Sequence, residues 1–158
     1  MGSSQVLFLA FLIGAFDGLR SLTAPAVVAW AAHLNWLNLQ NTPLSFMGST
    51  VAVVMFTALA IAELVADKLP STPSRTAPLG LIARTVLGGL CGACLAVAGA
   101  QSILLGAVLG VAGGLAGAFA GYRARTGLVK TLRVPDLVIA LLEDVVAIGG
   151  GLLIVSRF

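Results

Sequence analysis

SILLGAVLGVAGGLAGAFAGY runs from Ser102 to Tyr122 without one charged side chain. An uninterrupted apolar stretch of about 18 residues or more is long enough to cross the hydrocarbon core of a bilayer as a helix. Its glycines are spaced by four, as Gly106, Gly110 and Gly114 and again as Gly113, Gly117 and Gly121. Small residues at this spacing flatten a helix face and let a second backbone approach. With glycines on two faces, this helix is expected in the middle of a bundle. Gly14 and Gly18 repeat the spacing, as do Gly88 and Gly92. Packing within the chain is the simpler use of these faces, and a homo-oligomer joined through them is the alternative.

The whole composition agrees with this stretch. The chain has 158 residues, 59% hydrophobic and 9% charged, with a mean hydropathy of +1.06. A soluble domain carries roughly 25% charged residues, so this chain lacks the polar surface to live in water. Transmembrane strands would show recurrent dyad alternation, which is absent, and helices are the other way to satisfy the backbone in lipid. The expected fold is an all-α integral membrane protein, one transmembrane helical domain over residues 1–158. The net charge of +3 comes from too few basic residues for a nucleic-acid partner. The lipid bilayer is the expected one.

Six apolar segments follow one another, at about Val6–Leu19, Ala24–Leu39, Phe46–Ala66, Leu79–Ala100, Ser102–Tyr122 and Pro135–Val155. The second is short and carries His33, Asn35 and Asn38, so the bundle has six spans, or five if that segment does not cross. Charge bias favours six. With the Lys68–Arg75 loop in the cytoplasm, Arg20, Arg123, Arg125, Lys130 and Arg133 fall on that same side, the uncharged Gln40–Ser45 loop falls outside, and both termini lie outside. The N-terminus has no basic region of the kind that opens a cleavable signal, and none is expected.

One phrase occurs twice: GAFDGLRSLT at Gly14–Thr23 and GAFAGYRART at Gly117–Thr126. Each is expected to end a helix at the cytoplasmic face, and each is followed by a proline, Pro25 or Pro135, suited to the first turn of the next helix. This is a candidate internal repeat, with both copies in one orientation if six segments span.

Ionisable side chains at membrane depth are functional candidates by default, because an unpaired charge there costs several kcal/mol. Glu143 and Asp144 lie roughly 12 Å into the last helix at 1.5 Å per residue, and Glu63 and Arg84 stand at similar depth in theirs. The expected cluster pairs Arg84 with Glu63 and Glu143. Arg20 and Arg123, at the ends of the repeated helices, are placed to attract an anionic group. Asp17 and Asp67 are secondary candidates: Asp17 is three residues from Arg20 and suited to pair with it, and Asp67–Lys68 is expected to end a helix at the headgroups.

No phosphate-binding loop, nucleophile elbow or zinc-protease motif occurs, and no nucleophile–base pair can be named around His33, the single histidine. No metal or other cofactor is expected, and an enzymatic role has no residue pair to carry it. Cys91 and Cys94 read as buried apolar filler, with no acidifying neighbour to make them a redox pair.

The runs GLRSLTAPAVVAWAA (Gly18–Ala32), ELVADKLPSTPSRTAPLGLIART (Glu63–Thr85) and LLEDVVAIGGGLLIV (Leu141–Val155) resemble the DUF4126 group, a family of small bacterial inner-membrane proteins of unknown function. The resemblance covers nearly the whole chain and implies a multi-pass protein of the bacterial cytoplasmic membrane. It implies no activity. From the residues themselves the expected function is a small transporter or channel for an ion or small solute, an anionic one included, lined by Glu63, Arg84, Glu143 and Asp144. The alternative is a non-catalytic assembly or lipid-organising protein whose ion pairs are structural.

Overall fold

The computed structural model describes residues 1–67, 78–133 and 135–158, so the Lys68–Arg75 loop lies outside the described residues. The described chain forms six α-helices: α1 Ser3–Leu19, α2 Thr23–His33, α3 Thr50–Ala66, α4 Pro78–Ala98, α5 Ile103–Leu132 and α6 Asp136–Val155. Three of them, α4, α5 and α6, are long and apolar enough to cross a membrane, and α1 and α3 are shorter apolar helices. Exposed apolar side chains such as Val51, Val54, Leu79, Leu104, Val145 and Leu153 cover the outside of the bundle, as a lipid-facing surface requires.

The centre is a glycine-lined crossing of α1, α4 and α5. Gly92 faces the Gly106 carbonyl, Gly88 the Gly110 carbonyl, and Gly114 the Arg84 carbonyl, so α4 and α5 run antiparallel. Gly14 lies against Gly110 and Gly18 against Gly114, so α1 and α5 run parallel. A side chain on Gly14, Gly113 or Gly117 would overlap the backbone of the facing helix. The four-residue ladders are therefore consumed inside one chain, where they let backbones touch.

Around this triad α2, α3 and α6 form a second arc. Trp30 Nε1 of α2 donates to Thr57 Oγ1 of α3 at 3.0 Å, Gly151 of α6 faces Val27, and Gly150 faces Phe16 of α1. Helix direction alternates along the chain, which brings the ends of α1, α3 and α5 together with the starts of α2, α4 and α6. The opposite end carries both termini and the Leu34–Ser49 connection.

Two expected boundaries change. The segment read as Ala24–Leu39 is helical only to His33, about 17 Å at 1.5 Å per residue. Asn35 stops it by taking a left-handed conformation, φ 60°. The Trp36 N–H then bonds the Ala31 carbonyl at 2.8 Å and the Asn35 N–H the Ala32 carbonyl at 3.2 Å, the paired closure of a Schellman motif. The chain beyond folds over the end of α2, burying Leu37, Leu39, Leu44 and Met47, with a short 3-10 turn at Ser45–Gly48. The second change is in α5, which does not end at the GAFAGYRART phrase but runs on to Leu132. The first copy does end its helix, at Leu19. The two copies thus lie on parallel, touching helices but close only one of them. Pro135 caps α6, while Pro25 sits inside the first turn of α2, where no intrahelical donor is lost.

Candidate functional site

Where α1 ends, Arg20 leaves helical geometry, with φ −141° and ψ 105°. This turns its side chain off the α1 face and across the bundle. Its guanidinium is 1% exposed and reaches Asp67 at the end of α3 at 2.5 Å and Asp144 of α6 at 2.6 Å. It also donates to the Ala140 carbonyl at 3.4 Å. Arg20 therefore does not pair with Asp17, as their spacing had suggested, because it no longer shares that helix surface. Nor does it stand open to an anionic solute: the anionic groups it holds are carboxylates of its own chain.

Arg125, on the part of α5 beyond Tyr122, forms the second centre. It grips Asp136 with two donors, Nε at 2.8 Å and Nη2 at 2.5 Å, the bidentate arrangement that makes such pairs strong. Its Nη1 reaches Asp67 at 3.0 Å and Glu143 at 3.4 Å. Asp67 joins the two arginines and with them ties the ends of α1 and α3 to α5 and α6. Burial pushes the Asp67 carboxyl up, but Arg20 and Arg125 more than offset that and leave it below its usual range.

A second layer lies one turn further in. Glu63 of α3 accepts from the Ser21 N–H at 2.9 Å, the Ser21 hydroxyl at 2.6 Å and the Leu22 N–H at 2.9 Å. It covers the free donors at the start of α2, where a carboxylate also meets the positive end of the helix dipole. Arg84 of α4 is buried and donates to the Gly18 carbonyl and the Gly80 carbonyl, each at 3.0 Å. Asp17 of α1 is fully buried, and among the described residues neither of its carboxylate oxygens has a hydrogen-bond partner.

The described contacts thus differ from the expected pairing of Arg84 with Glu63 and Glu143. Glu63 binds the α2 terminus, Glu143 stands beside Arg125, and Arg84 bonds backbone carbonyls. Arg123 is exposed on α5. Arg125 and Asp136 are the members that sequence reasoning missed. The expected fifth segment ended at Tyr122, before Arg125, and the sixth began at Pro135. A signal was present in Asp136 directly after Pro135, since an acid in a proline-started first turn marks a helix start next to cations. Among the described residues no three His, Cys, Asp or Glu side chains are grouped to hold a metal ion. His33 Nδ1 meets the Gly48 carbonyl at 2.9 Å at the other end of the bundle. Cys91 and Cys94 are free and buried.

What the arrangement defines is an all-helical bundle, with three helices long and apolar enough to cross a membrane, whose acids are gathered at one end. The chain has six Asp and Glu residues, and all of them, Asp17, Glu63, Asp67, Asp136, Glu143 and Asp144, belong to these two layers. The model of a domain of unknown function, DUF4126, matches residues 7–156, and the chain belongs to that family. No curated protein and no solved structure matches it.

Proposed function

We propose that the protein is a small membrane transporter or channel that passes a cation, in the simplest case a proton, through its acid-rich end. The observation that carries this reading is the gathering of the chain's six carboxylates at one end of the bundle, with Asp17 fully buried and, among the described residues, without a hydrogen-bond partner. Acidic side chains inside a membrane bundle favour a cation over an anion. A cation is preferred here to the anionic solute because Arg20 is engaged by carboxylates of its own chain.

In this reading all six helices sit in the bilayer with both termini on one face. The basic end of α5 faces the cytoplasm of a bacterial cell, by charge bias. The α2 helix spans with the help of the Leu34–Ser49 connection packed on its end. Cation flux into vesicles tests it, comparing wild type with Glu143→Gln at equal amounts of folded protein. Loss of flux in the variant supports the reading, and equal flux moves the pathway away from Glu143.

A second reading, lipid organisation, is favoured by one observation: Arg123, Lys130 and Arg133 lie along the end of α5, with Arg123 and Lys130 to Arg133 on its exposed surface, placed for anionic headgroups. Flux in wild-type vesicles decides between the two.

A further inference from the structure

Five of the six acids have a hydrogen bond or an ion pair: Glu63 with Ser21 and Leu22, Asp67 and Asp144 with Arg20, and Asp136 and Glu143 with Arg125. Asp17 is the exception. It is fully buried, with both oxygens unpartnered among the described residues, in the glycine-lined crossing of α1 with α4 and α5. Room for its carboxyl group exists because α4 presents Gly88. A Cβ there would stand 3.3 Å from Asp17 Oδ2 and 2.9 Å from the Gly110 carbonyl oxygen.

We propose that Asp17 is the proton-binding site of the pathway, taking up and releasing a proton where α1 crosses α4; this rests on the transport reading above. An ionised carboxylate held without partners in an apolar interior costs several kcal/mol, while the neutral acid costs far less. The packing of Asp17 therefore suits the protonated state, and the ionised state needs help from a neighbour. The charged and titratable groups facing Asp17 are Glu63 from α3 and Arg84 and Cys91 from α4. The Gly88 N–H of α4 also faces it without closing a hydrogen bond, and α5 crosses α1 and α4 here through Gly110 and Gly114. Arg84 offsets the negative charge after release, and Glu63 opposes it. The proton adds to one carboxylate oxygen from water at the charged end and returns to water, with no other bond changed. A metal ion fits the site poorly, since among the described residues no group of three His, Cys, Asp or Glu side chains converges. A proton needs no such set.

The test uses the full chain in liposomes and two readouts. Infrared difference spectra across a pH series report protonated carboxyl groups directly. Vesicle flux reports transport. The expected result is a carboxylic-acid C=O band that shifts in heavy water, is missing from Asp17→Asn, and fades as pH rises with the midpoint of the flux profile. In Asp17→Glu the band is displaced and flux persists. This second variant serves if Asp17→Asn does not fold. A band unchanged in both variants overturns the proposal. So does a band that stays constant over the pH range in which flux changes. A titrating Asp17 band in a protein that passes no ion overturns the transport reading and leaves the proton site standing.

Discussion

At the scale of single residues, the bundle is held by what its glycines lack. Gly117 lies directly on the Ala15 backbone, while Gly149 has open space around its α-carbon. The same substitution should therefore have opposite signs at the two sites. Gly117→Ala should lower stability by about 1–3 kcal/mol through overpacking, and Gly149→Ala should be neutral or raise it by up to about 1 kcal/mol through helix propensity. Thermal unfolding in detergent separates them. Asp67 gives the pH dependence. Its carboxyl is held below the ordinary value of 3.8 in the folded protein, so its contribution is fully present above that value and is lost as pH falls through the lower, folded one. Melting temperature should be insensitive to this group near neutral pH and fall below about pH 4. Asp67→Asn should flatten that acid limb, and an unchanged limb would show that Arg20 and Arg125 do not hold the carboxylate. The importance of these residues was legible in the sequence, because a charge in an apolar chain is conspicuous. Their partners were not. Whether Arg20 faces Asp17 or Asp144 depends on one backbone turn after Leu19 that no spacing rule specifies.

At the scale of elements, the sequence was most readable where chemistry marks an end. Ser49 and Ser102 cap α3 and α5 through the Ala52 and Leu105 N–H groups, at 3.1 and 3.4 Å, as serines at N-caps do. Asn35 is a stop signal of the same kind, and giving it weight would have ended α2 at His33. The extension of α5 past Tyr122 was harder to see. Arg123, Arg125 and Lys130 suit a solvent-facing helix as well as a loop, and the expectation of a charged turn prevailed. The start of α2 has no side-chain cap of its own, because Glu63 comes from α3 to serve there. Glu63→Ala should then speed hydrogen exchange at the Ser21 and Leu22 amides and the first turn of α2, while the α4–α5 crossing stays protected. The cost should be about 1–2 kcal/mol, as for other lost caps. Exchange unchanged at those amides would mean that the carboxylate is not needed to hold the helix start.

At the scale of the whole molecule, the parallel packing of α1 and α5 puts both copies of the repeated phrase at one end of the bundle. All six acids belong to the two layers at that end. The apolar class, the six helical segments and the family were all readable from the residues alone. The division into a glycine-packed triad and a second arc was not, because it depends on which helix faces accept each other. The central claim is that this acid-rich end passes cations, and its most direct test is cation entry into sealed vesicles. Vesicles carrying wild-type protein and empty vesicles would be compared with an internal pH dye under proton and monovalent-cation gradients, with anion flux followed in parallel. Protein-dependent cation entry without matching anion entry is the predicted result. Anion-selective flux, or vesicles with folded protein as tight as empty ones, would contradict it.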